Sequence, residues 1–488
     1  MNGNSRTAAN AIGTGTASEP GASTDPRTAV QQLARFAVDC RDRGLPPEVA
    51  ADVTGRVLDV VGNCLAGRAE GGPAEAVLDT VRAMGGSPRA SLFGEAGRLP
   101  AAQAALVNGT LAHTLDFDDT HLPSVLHPSA SVVPAALAAA EETGASGARL
   151  AAAVAAGIEI CNRLGMASYV PGIRNSLFFE KGQHATSICG TLGAAAAVAL
   201  LYGLDEQGVA DALGIAASMG SGILEANRTG GTVKRIHCGW AAHSGVMAAA
   251  LAHAGITGPP TVLEGRFGFF RAWLDGTCDT EALLGGLGER WETLRTVYKP
   301  YPSNHFTHPA VDCALALRAE GLDPGDIASA ELGLPAPTLR TVAEPRDEKV
   351  RPRTPYHAKF SGPFTVATAL LGGGGLGVHL DDFTPETLGD PGRLALAARV
   401  TCFADDRASE IFPTAFAAVL RVRTRGGALL EKRVDSSRGG PGHPLSRAEL
   451  LTKFRLNAER GTTPERARQL AHAVGSLPTA PDTRALFD

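Results

Sequence analysis

Between residues 132 and 254 the chain keeps returning to alanine. Val132–Glu142, Arg149–Arg163, Thr191–Leu201, Val209–Met219 and Trp240–Ala254 repeat apolar or alanine residues at helical spacing, separated by glycine and polar breaks. Alanine loses no side-chain entropy in a helix and lets neighbouring axes come close, and a helix that is apolar nearly all round belongs in the middle of a bundle. Aromatic residues make up only 5% of the chain, which argues against an aromatic-rich sandwich. Residues 28–293 therefore read as one large all-helical domain.

After about Arg295 the pattern changes. Ala328–Leu334, Ala397–Phe403, Ala418–Thr424 and Leu429–Val434 are short and β-prone, and in the third Leu420 and Val422 alternate with Arg421 and Arg423. Arg425-Gly426-Gly427 reads as a hairpin turn. Helical stretches at Asn304–Ala319 and Gly362–Leu371 lie among these strands, so residues 294–440 read as a smaller α+β domain. Gly372–Gly375 lacks the Lys-Ser/Thr of a phosphate loop and follows a helix, so it reads as a helix exit. Residues 441–488 return to helical pattern, with Ser446 placed as a cap and Leu450, Leu451 and Phe454 on one face. Folding back onto the first unit, they would make a mainly α protein whose helical domain is discontinuous.

With 45 Lys+Arg against 50 Asp+Glu the formal charge is −5, the wrong sign for a nucleic-acid binder. No apolar run approaches the roughly 20 residues of a bilayer span. Residues 1–27 are rich in Ser, Thr, Gly and Ala without an apolar signal-peptide core, and read as a disordered tail. The eight cysteines are scattered with no CxxC pair, as expected of buried thiols in a reducing cytoplasm.

Three aspartates and three histidines fall between His113 and His127, within Asn108–Ser129. That density is costly inside a helical core unless the groups pair or serve a site. Two Asp and a His could ligate a metal, but no second ligand set at helical spacing accompanies them, and no metal is assigned. The plainer reading has Asp116 and Asp118 capping helix ends and orienting a histidine. His127 stands just before Pro128 and an apolar helix, where the positive end of the helix dipole would lower its pKa and favour the neutral base. His184 opens another apolar helix, whose hydroxyls and N–H groups could hold a carboxylate. Arg228, Lys234, Arg235 and His237 crowd the turn before the Ala-rich helix at Trp240, where an anion would relieve them. Lys299 to His308 lies at the change of composition, where a cleft between domains would form. Histidine bases, aspartate orienters and cationic anchors suit proton chemistry next to a carboxylate.

These segments together resemble the MmgE/PrpD family, which contains dehydratases, decarboxylases and epimerases of small carboxylic acids. The resemblance rests on Asn108–Thr120 (NGTLAHTLDFDDT), His127-Pro-Ser, Gly157-Ile-Glu159, Cys189-Gly-Thr-Leu-Gly193, Val233–Gly239 (VKRIHCG) with Ala241–Gly245, Glu264–Phe270 (EGRFGFF), Lys299-Pro-Tyr-Pro302 with Thr307-His-Pro309, and Ala358-Lys-Phe-Ser361. It implies a helical domain with a smaller α+β lid, a homodimer, no cofactor, and a small carboxylate as substrate. Carried over from the decarboxylase members, it places Asp116, Thr120, His127, His184 and Lys234 in the pocket. Two positions depart: Asn304, with His305 beside it, stands where those members have a pocket histidine, and Phe364 where they have a tyrosine. The expected catalytic set is Asp116, His127, His184 and Lys234; substrate contacts are expected from Thr120, Arg235, His237, Asn304, His305 and Phe364. The leading expectation is a dehydratase of a hydroxylated di- or tricarboxylate, with decarboxylation or epimerisation as alternatives and a non-catalytic carboxylate-binding protein behind them.

Overall fold

The computed structural model describes residues 25–173, 175–226, 231–440, 442–484 and 486–487. Most of the tail expected over residues 1–27, and Arg228, lie outside the described residues.

The protein is mainly helical, with a small mixed sheet in its C-terminal part. The long helices begin where the sequence supplies caps: Ser146 accepts from Arg149 N at 3.3 Å ahead of Gly147–Met166, and Asp205 from Gly208 N at 2.9 Å ahead of Glu206–Ala217. At the centre stands Ala185–Leu201, every residue of which is buried. It packs against Ser129–Thr143, Gly147–Met166 and His237–His253. Small residues permit this. A Cβ on Gly157 would lie 2.6 Å from the Gly193 carbonyl, and one on Gly193 would lie 2.5 Å from the Gly157 carbonyl. Ala101–Thr114 and His237–His253 meet in the same way, with a Cβ on Gly109 only 2.8 Å from the Gly239 Cα. That crossing brings His113 and His237, on different helices, into one neighbourhood.

The C-terminal sheet contains β1 (Ile327–Leu334), β2 (Val400–Ala404), β3 (Ala418–Thr424) and β4 (Leu429–Val434) in the order β4-β3-β1-β2. β1 and β2 are parallel, with Ala330 opposite Val400; the other pairs are antiparallel, with Ala330 opposite Val422 and Leu429 opposite Arg423. The β3–β4 turn falls at Arg425–Gly427, closed by Thr424 N donating to Ala428 O at 2.9 Å. Gly362–Leu371 is helical as expected and exits through Gly372 at φ 101°. One strand shifts: residue 397 ends a helix, Pro391–Ala397, capped by Asp390, so β2 starts at Val400. In the helix Arg447–Gly461, Ser446 caps as expected and Leu450 and Phe454 join the core of the helical unit against Pro47–Glu70. Leu451, one residue and about 100° further round, is 38% exposed instead.

Apolar side chains form a large cluster in the helical unit and a second one around Tyr301, Phe364 and the sheet. Two small clusters join the parts: Ala66, Leu115, Phe117 and Leu380, and Leu122, Val297, Phe412 and Phe416. Thr120–His121 pairs antiparallel with Thr296–Val297, Thr120 opposite Val297. Glu159 accepts from Arg163 Nε at 2.7 Å and from the backbone of Glu292 and Thr293 at 3.1 and 2.8 Å, fixing the crossing segment. The polar turn at residues 113–127 thus sits at the seam between the helical unit and the α+β part. No helix among the described residues is long and apolar enough to cross a membrane, and all eight cysteines are free thiols, six of them buried.

Candidate active site

The Ala101–Thr114 helix ends just after His113, and the chain turns sharply through Asp116, whose φ of 55° lies in the left-handed region. Asp is among the few residues other than Gly that enter this region readily. The turn sends three carboxylates different ways. Asp116 faces two ammonium groups, Lys299 at 3.4 Å and Lys234 at 3.7 Å. Burial alone would raise its pKa, but these two lysines hold it down at about 2. Asp118 accepts from His113 Nδ1 at 2.8 Å and lies 3.9 Å from His127 Nδ1; the two imidazoles overcome its burial and hold it well below the usual carboxylate range. Asp119 bonds Ser129 Oγ at 2.5 Å and pairs with Arg56 at 3.0 Å, yet burial pushes it up to about 6. The expectation that Asp116 and Asp118 cap helices is therefore replaced: the cap-like role falls to Asp119, which also accepts from Ser129 N at 3.3 Å at the start of Ser129–Thr143.

His127 Nδ1 lies 2.6 Å from the Asp119 carbonyl and 3.3 Å from Thr120 Oγ1. A carbonyl only accepts, so Nδ1 carries the proton and Nε2 keeps its lone pair. Its pKa falls to about 4, chiefly by burial and further by Lys299 and His113, with Asp118 opposing. The direction matches the sequence expectation; the first cause is burial rather than the helix dipole. Its side chain is 15% exposed against 1% for His113, so it is the more open of the two rings.

Beyond His127 the rings form a string. His113 is 5.4 Å from His127 and 5.9 Å from His184 between centroids, and His184 is 5.0 Å from His237. The Nδ1 atoms of His184 and His237 are 2.9 Å apart, so one donates and the other accepts, as two neutral imidazoles can. Burial first, then Lys234 and His113, keeps His184 well below its ordinary value, and burial and His113 take His237 to about 4. Lys234 is itself buried, yet Tyr356 and Asp116 more than offset burial and raise its pKa, so it stays charged.

Of the other expected residues, Thr120 is buried beside His127, and Arg235 stacks on Tyr356 with its guanidinium 4.3 Å from the ring centre. Asn304 uses its side chain to cap the short turn His305–Thr307, accepting from Phe306 N at 3.1 Å. His305 is buried 4.4 Å from the His308 ring, and neither of its ring nitrogens has a hydrogen-bond partner among the described residues. Phe364 is fully buried in the α+β core, packed near Phe383 and under Arg393, and among the described residues it makes no ring contact with a histidine.

His113, Asp118, Lys299 and Tyr356 complete the cluster; Asp118 was read only as an orienter of a histidine and Lys299 only as part of a cleft segment, and His113 and Tyr356 were given no role of their own. His113 and Asp118 stood inside the dense polar run, where density was the signal; which carboxylate meets which ring depends on the turn at Asp116. Lys299 arrives from 183 residues away; the change of composition marked its segment as a cleft, but not its pairing with Asp116. His121, also in the run, bonds Ser124 at 2.6 Å and Glu292 at 3.4 Å and holds the loop instead. His113, Asp118 and Cys238 bring ligand-type atoms within 4.8 Å of one another. Asp118 already accepts from the His113 ring at 2.8 Å, so these side chains stand as a hydrogen-bonded pair with a buried thiol beside it.

Comparison with known proteins gives the arrangement a context. Residues 31–281 match the MmgE/PrpD N-terminal domain, and residues 301–478 match the MmgE/PrpD C-terminal domain. The chain is 29% identical to a cis-aconitate decarboxylase of Homo sapiens over 398 residues, 80% of this chain and 79% of that protein. It is 28% identical to one of Mus musculus over 399 residues (80% and 78%) and 26% identical to one of Aspergillus terreus over 412 residues (81% and 82%).

Proposed function

The chain belongs to the MmgE/PrpD family, and from that premise we propose that it is a cofactor-independent lyase acting on a small di- or tricarboxylate by histidine-mediated proton transfer next to a carboxylate. The observation that carries this reading is the pairing of a neutral imidazole, its Nε2 lone pair uncommitted, with the Lys234–Asp116–Lys299 group beside it. Lys234 sits 3.7 Å from Asp116, too far for a hydrogen bond, so its ammonium keeps a donor for a substrate carboxylate. An ammonium held there also stabilises the enolate-like charge that forms when the neighbouring carbon loses its proton. His127 takes that proton as the C–O bond breaks, and the resulting imidazolium gives it to the departing hydroxide, which leaves as water. Asp118 balances the imidazolium while it exists, 3.9 Å away. The cluster's side chains are buried apart from His127, 15% exposed, and on this reading substrate enters as the α+β part moves off the seam.

Dehydration of a hydroxylated acid is the first reading, because a carboxylate held by ammonium groups is stabilised as it stands and loses carbon dioxide less readily. Decarboxylation is the second, favoured by the names of the relatives. Incubation with citrate, 2-methylcitrate and cis-aconitate, followed by NMR in deuterated water, separates them: an unsaturated acid with carbon number unchanged is expected, loss of carbon dioxide selects the second reading, and turnover surviving both His127→Ala and Lys234→Ala overturns the site.

A further inference from the structure

The turn that carries Asp116 lies at the negative end of the Ala101–Thr114 helix, where buried carbonyls lack intrahelical partners and a cation is favourable. Three successive carbonyls there each receive an ammonium from a different part of the chain. Lys359 Nζ donates to Leu115 O, Lys299 Nζ to Asp116 O and Lys453 Nζ to Phe117 O, each at 2.9 Å. All three lysines are buried. Lys359 comes from the α+β part, directly after the short helix Pro355–Ala358; Lys453 comes from Arg447–Gly461, where its ammonium also pairs with Asp59 at 2.7 Å and sits 4.0 Å from the Phe117 ring centre.

Burying an ammonium is costly, and a lone carbonyl could be satisfied by a backbone N–H at lower cost. Three such burials on three consecutive residues, around one residue of left-handed φ, demand a common reason. Lys299 also faces the Asp116 carboxylate. Neither Lys359 nor Lys453 is bonded to that carboxylate: they donate to the backbone on either side of it, Lys453 being held in place by Asp59, and so act on the direction in which Asp116 leaves the turn.

We propose that Lys359 and Lys453 are positioning residues, which lock the Leu115–Phe117 turn and thereby aim the Asp116 carboxylate between Lys234 and Lys299. Because Lys359 belongs to the α+β part, the aim is complete only when that part is seated: the lid contributes an ammonium to the turn, and the carboxylate is set in the same movement that seals the site. The kinetic consequence rests on the proposed lyase reading; the structural consequence does not.

The test uses the full-length protein with Lys359→Met, Lys359→Arg, Lys453→Met and, as a control for loss of any buried lysine, Lys349→Met, whose ammonium donates to Thr341 O at 2.7 Å elsewhere in the α+β part. Hydrogen exchange read by mass spectrometry should lose protection in peptides spanning residues 113–121 for Lys359→Met and Lys453→Met, less for Lys359→Arg and not for Lys349→Met. Unchanged exchange there in Lys359→Met overturns the proposal, whatever the protein catalyses, and Lys359→Met alone decides if Lys453→Met does not fold. With an acid that the wild type turns over, misplacing the carboxylate should lower kcat about 10- to 100-fold with KM little changed. In an Asp116→Asn background the same replacements should then cost less than about threefold, because the group they aim is already gone. Equal, multiplying losses in both backgrounds overturn the proposal. A wild type inert towards every acid refutes the lyase reading only, leaving the exchange result to judge the turn.

Discussion

His127, half-buried, and His305, buried, are both imidazoles lowered by desolvation and by Lys299, but they have been given opposite surroundings. His127 has the Asp119 carbonyl at 2.6 Å, Thr120 Oγ1 at 3.3 Å and Asp118 at 3.9 Å; its pKa comes down only to about 4. His305, on the segment leading into the α+β part, has rings about it, His308 at 4.4 Å and Phe416 at 5.3 Å, and is held well below its ordinary value. Burial alone makes an imidazole neutral and leaves it inert to protons. A carboxylate nearby makes the charged form attainable for the instant at which a base needs it. On the proposed reading, proton chemistry therefore belongs on the His127 side of the seam, and shape and contact on the His305 side.

The strongest way to break this contrast is His127→Ala, which should reduce kcat about 10²- to 10⁴-fold without unfolding the protein, as followed by NMR turnover and by circular dichroism. Next is the helix crossing that lets the string of rings form. In Gly239→Ala the new Cβ would collide with the Leu106 carbonyl and the Thr110 hydroxyl, and overpacking of this kind costs about 1–3 kcal/mol, measurable as a fall in Tm that a surface Gly→Ala such as Gly426→Ala does not share.

Acid titration probes the same contrast more gently. The ordinary His value is 6.5 and His127 and His237 stand at about 4, so between those pH values the unfolded chain binds protons that the folded chain refuses. Stability should fall as pH drops through that window. Asp116 acts with the same sign one window lower, its stabilisation present above 3.8 and lost as pH falls towards about 2. Denaturant unfolding at stepped pH should show this slope reduced between pH 6.5 and 4 in His237→Gln; an identical slope would remove the assignment. On the activity side, kcat/KM should hold down to about pH 4 and then decline as His127 is protonated. The smallest effect is expected from His305→Ala, a rise in KM of about threefold with kcat retained, the signature of a contact that binds ground and transition states alike. A loss of kcat as large as that of His127→Ala would erase the distinction between the two sides.

Much of this architecture was legible in the chain. The Ala-rich runs announced buried helices because periodicity and composition act locally, and Ala185–Leu201 is buried along its whole length. Leu420 and Val422 pointed one way and Arg421 and Arg423 the other, which a strand of period two requires. The Asp390 cap was missed, and with it the helix that displaced β2, because a short helix of seven residues leaves little periodic signal. In the site, His113–His127 stood out by density, His127, His184 and Lys234 also by their places at or before helix starts, and Asp116, Thr120, His127, His184 and Lys234 by the resemblance. Phe364, expected at the substrate, packs in the α+β core, since a resemblance fixes a position in sequence and not the direction of a side chain that has lost its hydroxyl.

Local pattern, then, settled which stretches coil, which extend and where charge gathers, because those depend on residues within a few positions of each other. The tertiary structure decided which of three neighbouring aspartates meets lysine, imidazole or arginine. That choice turns on one left-handed residue and on ammonium groups delivered from 183, 244 and 336 residues away, and separations of that size leave no trace in periodicity.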